Sequence, residues 1–170
     1  MQVLVISSLY FITPAFFANM CPVFAKKLKL PFAKPINPKH FGENKTYRGF
    51  YVGYLGALLV LYLQTQIDFA EYSLIDYSKI NIYFYAFLFG FGAIFGDMIK
   101  SYFKRKKGKK PGSCWFPFDQ LDFVIMSLVF IYPFYEISIE HILVLLILSP
   151  LLHFLSNLIA YFLKLKEVWW

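Results

Sequence analysis

Residues 82–110 read IYFYAFLFGFGAIFGDMIKSYFKRKKGKK. The stretch carries no charge from Ile82 to Gly96, then one acid at Asp97, then a dense run of Lys and Arg. A bilayer core about 30 Å thick is crossed by roughly 20 mainly apolar residues in helical form. In hydrocarbon each backbone N–H and C=O must be paired within the protein, so residues 82–103 read as a transmembrane helix. Four more runs have the same character: residues 3–25, 50–67, 118–135 and 141–163. The fourth in chain order is purely apolar only from Phe123, because Asp119 and Asp122 stand in its first turn.

Composition agrees. Of 170 residues 59% are hydrophobic and 16% charged, against about a quarter charged in a soluble domain. The 21 Phe and 13 Tyr exceed what a small soluble core would bury. The expected fold is therefore an all-α integral membrane protein with five transmembrane helices. It forms one domain over residues 1–170, with no room for a soluble one and no internal repeat. The first run does not read as a signal peptide, since no positive charge precedes it while Lys26 and Lys27 follow it. Pro14 and Pro22 are candidate kinks within it.

Orientation follows from the basic residues, which collect on the cytoplasmic side. Alternating five spans puts 26–48, 100–110 and the tail with Lys164 and Lys166 on one side. Lys79 is the one exception among 17 Lys and Arg, and it shares the other side with Asp68, Glu71, Asp76, Glu136 and Glu140. The expectation is an N-terminus outside, a C-terminus in the cytosol and a multi-pass protein of the cell membrane. The net charge of +7 then serves topology, anionic headgroups or a cytosolic polyphosphate. No nucleic-acid recognition fold accompanies it, so nucleic acid is not an expected partner. Cys21 and Cys114 have no metal spacing and are expected to stay reduced. The Trp169–Trp170 end reads as an interfacial anchor.

Three segments carry residues that are costly in a membrane. Asp97 is the first, because an intramembrane carboxylate usually marks a site or an ion path. Its plain alternative is pairing with Lys100 or Lys104 near the interface. Ser101 and Lys104 share its helical face and Lys100 lies beside it. Gly92 and Gly96 have GxxxG spacing, which serves close helix packing or lets a nucleotide approach the backbone. Asp119 and Asp122 are the second group, on one face of their helix, and they also suit the positive helix N-terminus. A short connection lets them converge with Asp97. Three gathered carboxylates would repel unless a cation joins them, and oxygen ligands of this kind suit Mg²⁺ with substrate phosphates. The third segment is NKTYRG, residues 44–49, in which Lys45 and Arg48 can grip phosphate oxygens and Thr46 adds a hydroxyl. The Pro-rich stretch before it, residues 31–41, reads as an ordered excursion over the same face.

The order NKTYRG, then GDMIKSYFKR at 96–105, then PFDQLD at 117–122, resembles the CDP-archaeol synthases. These are the archaeal branch of the CTP-dependent phosphatidate cytidylyltransferase superfamily, and the resemblance covers nearly the whole chain. Bacterial and eukaryotic relatives have His-Gly-Gly and an Arg where this chain has Trp115–Phe118 and Gln120, which favours the archaeal branch. The resemblance implies transfer of CMP from CTP to 2,3-bis-O-geranylgeranylglycerol 1-phosphate, an isoprenoid glycerol-1-phosphate ether lipid, releasing pyrophosphate at the cytosolic face. It implies that Asp97, Asp119 and Asp122 bind Mg²⁺. Lys104, with the three acids, is the expected catalytic set. Asn44, Lys45, Thr46, Arg48, Lys100, Ser101 and Arg105 are expected to meet CTP or the lipid phosphate. A CTP-dependent polyprenol kinase and a small membrane transporter, with Asp97 on its path, are the competing readings.

Overall fold

Each of the five apolar runs becomes a helix in the computed structural model, which describes residues 1–67, 69–110, 113–165 and 168. Asp68, Lys166 and the Trp169–Trp170 anchor lie outside the described residues. The elements are α1 (Gln2–Lys27), a short α2 (Pro38–Phe41), α3 (Tyr47–Gln66), α4 (Ile82–Lys106), α5 (Phe118–Ile131) and α6 (Ile139–Phe162), with a 3₁₀ turn at Ala70–Tyr72. Among the described residues the one extended pairing is a bridge between Pro35 and Thr46.

Three of these helices, α1, α4 and α6, are long and apolar enough to cross a membrane. The run expected over 118–135 is helical for only 14 residues. At 1.5 Å per residue that is about 21 Å, short of a full hydrocarbon layer. The chain turns over Tyr132–Tyr135 instead, where the Tyr135 hydroxyl donates to the Leu74 carbonyl at 2.5 Å. That bond ties the end of α5 to the α3–α4 connection.

α1 is the central helix and touches α3, α4, α5 and α6. Its buried stripe of Phe11, Ile12, Ala15 and Ala18 meets Ala57 and Leu61 of α3, Phe89 and Ala93 of α4 and Phe123 and Val124 of α5 in one core. Edge-on ring pairs Phe11–Phe89 and Phe16–Phe123, at 5.3 and 4.7 Å, fix the faces. α6 is peripheral: Ile147, Leu151, Leu155 and Ile159 are exposed apolar side chains, as a lipid-facing helix requires.

Pro14 lies inside α1, which nevertheless continues to Lys27. Proline has no N–H, so the carbonyl four residues earlier loses its helical donor. That carbonyl belongs to Tyr10, and it accepts instead from the buried Gln64 amide of α3 at 2.7 Å. The polar group is satisfied across a helix pair, as a water-free interior demands.

Candidate functional site

Gly92 and Gly96 decide where the site forms. A Cβ added at Gly92 would lie 2.8 Å from the Ser127 Cα, and one at Gly96 would overlap the Asp122 carbonyl. The GxxxG face is thus filled by the α5 backbone, which is the packing reading. The alternative, a nucleotide approaching the helix through these glycines, is corrected by that occupancy. The close crossing brings the next residue, Asp97, beside the first turn of α5.

The three acids then meet at one ammonium. Lys100 Nζ lies 2.8 Å from Asp97 Oδ1, 3.1 Å from Asp119 Oδ1 and 2.8 Å from Asp122 Oδ2. Asp97 Oδ1 accepts a hydrogen bond from this ammonium, while Asp119 Oδ1 and Asp122 Oδ2 are ion-paired with it but buried without a hydrogen bond. Both helices use a three-residue step, so Asp97 and Lys100 share a face of α4 while Asp119 and Asp122 share a face of α5. The cluster is largely enclosed: the Lys100 side chain is 13% exposed and that of Asp122 6%.

Two further lysines close the ring. Lys45 donates to Asp97 Oδ2 from the loop before α3. Lys104 lies 2.6 Å from Asp119 Oδ1 and donates to the Ser113 carbonyl at 2.7 Å. Backbone donors reach the other oxygen of two acids: Trp115 N–H reaches Asp119 Oδ2 at 2.6 Å and Phe123 N–H reaches Asp122 Oδ1 at 2.8 Å. Three acids therefore face three lysines, and the group is neutral as it stands.

The segment carrying Lys45 is built, as expected of the Pro-rich excursion. Ile36 N–H donates to Lys45 O at 2.9 Å, Tyr47 N–H to Lys34 O at 3.2 Å and Arg48 N–H to Phe32 O at 2.9 Å. Asn37 caps α2 through His40 N–H at 3.2 Å, and Gly42 takes the positive φ of +82° that ends it. The His40 ring then stacks on Tyr102 of α4, and Phe41 lies tilted against the same ring. A small cavity beside Asp97 is lined by Asn44, Lys45, Thr46, Pro22 and Met98, among others.

The remaining expected residues stand apart from the acids. The buried Arg48 guanidinium donates to the Leu30 carbonyl at 2.9 Å, so it braces the loop that presents Lys45. Arg105 Nη1 lies 3.4 Å from the Cβ position of Gly42 and its Nε is buried. Ser101 is buried on α4. Sequence reading placed Lys100 beside the Asp97 face and offered pairing with it as the plain alternative; that pair forms, at 2.8 Å, and Lys100 is also the centre of the cluster. The signal for it was present: a lysine three residues from one acid, opposite a helix with two acids at the same step.

Comparison with known proteins bears on what such a group does. The family model described as CarS-like, CDP-archaeol synthase, matches residues 1–170. A CDP-archaeol synthase of Methanococcus maripaludis strain C7 is 34% identical, covering 98% of this chain and 97% of its own length. That of Pyrococcus furiosus is 34% identical, covering 98% of each. That of Thermococcus gammatolerans is 36% identical, covering 96% of this chain and 95% of its own. Among solved structures, one described as an intramembrane enzyme for archaeal membrane lipid biosynthesis superposes with a TM-score of 0.71. It is 23% identical and covers 88% of this chain and 91% of that one, so it shows the fold.

Proposed function

The chain belongs to the CDP-archaeol synthase family, and from that premise we propose that the acid–lysine cluster is where it joins CTP to its lipid. It is a membrane enzyme, a CTP-dependent nucleotidyltransferase of lipid biosynthesis. The kinase and transporter readings give way to this membership. The observation that carries the site is the convergence of Asp97, Asp119 and Asp122, from two helices, on the Lys100 ammonium, with Lys45 and Lys104 at the rim.

The donor set fits a divalent cation. Among the described residues no three acids stand close enough to hold a metal as they are, because the Lys100 ammonium separates Asp97, Asp119 and Asp122. In chemistry the set fits, since carboxylate oxygens are what Mg²⁺ takes. Asp97, Asp119 and Asp122 would hold such an ion, which would supply neutralisation of phosphate charge and of the leaving pyrophosphate. The chain's own residues do the rest. A phosphate oxygen of the isoprenoid glycerol-1-phosphate ether lipid attacks the α-phosphorus of CTP. The new P–O bond forms as the bond from that phosphorus to the bridging oxygen breaks, and pyrophosphate departs. Lys45, Lys104 and Arg105 hold phosphate oxygens, Asn44 and Thr46 line the approach beside Asp97, and Ser101 supports the α4 face. Arg48 acts on phosphate through the loop it braces. A phosphomonoester dianion is itself a nucleophile, so no general base is called for.

The same reading gives the topology. α1, α3, α4, α5 and α6 each cross the bilayer, with the N-terminus outside and the C-terminus and cluster at the cytosolic face of the cell membrane. The support is the positive-inside rule, with Lys79 the one basic residue on the far side. The short α5 crosses with the help of its Tyr132–Tyr135 turn.

The test is purified protein given CTP labelled at the α-phosphate, with isoprenoid ether and fatty-acyl phosphatidates side by side. Labelled CDP-lipid and pyrophosphate are expected, with the ether lipid preferred. Lipid phosphate with CDP as the other product would instead mark a kinase. Labelling of single cysteines near Asp76 from the cytosolic side alone would overturn the orientation.

A further inference from the structure

We propose that Lys100 is a tethered stand-in for the metal, holding Asp97, Asp119 and Asp122 together until a divalent cation displaces it towards the nucleotide phosphates. The inference rests on the reading of the three acids as the cation's ligands. Its own content is that the site is built to exchange one cation for another.

The geometry carries it. Lys100 Nζ stands at the one point common to all three carboxylates, at 2.8, 3.1 and 2.8 Å. A cation ligated by the same oxygens needs that same point, so the two cannot coexist there. The charges agree. With Lys45 and Lys104 at the rim the group is already neutral, and a divalent ion added to all three lysines leaves an excess of two positive charges in a poorly solvated pocket. Repulsion at such short range is strong where the surroundings are weakly polarisable. Lys100 is the lysine that gives way, because it holds the shared point. Lys45 and Lys104 each pair with one acid and keep those pairs from the side.

Lysine suits this task. Its ammonium is a compact charge on a flexible four-carbon stem, so it can leave the acids without moving α4. Without it the metal-free acids would face one another across the α4–α5 crossing, which Gly96 and Asp122 hold at backbone contact. Lys100 thus preserves the site in the absence of metal. Once displaced it remains on the cytosolic turn of α4, where nucleotide phosphate is the nearest unpaired anion. Phosphate binding by Lys100 then follows metal binding.

The experiment measures metal directly. Mn²⁺ binding to detergent-purified protein, without CTP, is followed by electron paramagnetic resonance in the wild type, Lys100→Met and Asp122→Asn. Removing the competing charge should tighten Mn²⁺ binding about tenfold or more in Lys100→Met. The metal-free Lys100→Met protein should melt earlier than wild type, and saturating Mn²⁺ should restore it. Equal or weaker Mn²⁺ affinity in Lys100→Met, with the wild-type site still lost in Asp122→Asn, overturns the exchange and leaves the metal site standing. Mn²⁺ binding that Asp122→Asn does not reduce overturns the site itself, and the exchange with it. Should Lys100→Met fail to fold, the wild type alone decides. Reductive methylation of Lys100, read by mass spectrometry, should rise severalfold when Mg²⁺ is added. Unchanged or lower methylation overturns the proposal.

Discussion

Asp97–Lys100 and Asp76–Lys79 are the same local motif in two places. Each is an acid followed three residues later by a lysine, and each closes an ion pair, at 2.8 and 2.7 Å. Around them everything differs. Lys79 is 80% exposed and Asp76 50%, in the connection between α3 and α4, and Asp76 also accepts from Ser78. Lys100 is 13% exposed and shared by two further acids from another helix. An exposed pair in water competes with solvent and salt and contributes little. An enclosed one cannot lose a partner without leaving a poorly solvated charge. The spacing is equal; the surroundings make one pair part of an enclosed cluster and leave the other as a loop clasp.

The largest expected effect is on the enclosed side. Asp97→Asn, Asp119→Asn and Asp122→Asn keep size and hydrogen bonding but remove a charge from the shared point. Each should lower CDP-lipid formation by about 100-fold or more while the protein still inserts in membranes. Full activity in all three variants would break the contrast with Asp76.

Next comes the crossing that encloses the cluster. Gly96→Leu must push α5 away, since even a Cβ there overlaps the Asp122 backbone. A loss of about 1–3 kcal/mol in stability is expected from such overpacking. Activity should fall with it, because Asp97 and Asp122 separate. A Gly96→Leu enzyme with wild-type melting temperature and rate would show that the crossing is not what assembles the site.

Lys45→Ala sharpens the picture at the rim. It removes one charge-assisted hydrogen bond to Asp97 and a proposed phosphate contact. A rise of roughly ten- to a hundredfold in the CTP concentration needed for half-maximal rate is expected, with the lipid dependence little changed. An unaltered CTP dependence would reduce the NKTYRG loop to a topology signal.

The smallest effect belongs to Asp76. The Lys79 ammonium and the Ser78 hydroxyl hold its carboxyl down at about 2. A carboxyl held ionised by folding contributes in full above its unfolded value near pH 4 and has lost that contribution as pH falls through about 2. Between pH 5 and 8 this pair adds no pH dependence, and Asp76→Asn should leave melting temperature and activity unchanged. A marked drop in either at neutral pH would mean that the two D-x-x-K motifs are more alike than their surroundings indicate.

Sequence alone determined the membrane character and the helices, and it singled out the three segments whose residues meet in the cluster. Those features are local: apolar run length sets a membrane helix, and charge sets what lies at its end. It also led to the expectation, from alternating spans, that Asp97, Asp119 and Asp122 lie at one end with Lys45, Lys100 and Lys104, and the structure brings these six together. Only the tertiary structure decided that the Gly92–Gly96 face receives α5, that α5 is helical for just 14 residues, and that Arg48 turns to the Leu30 carbonyl. It alone decided that the cation among the three acids is Lys100. A helical step of three places an acid and a lysine on one face, but it does not say which second helix will cross that face. Backbone contact at Gly96 makes that choice, because the distance between Asp97 and Asp122 is set by how closely two helices approach.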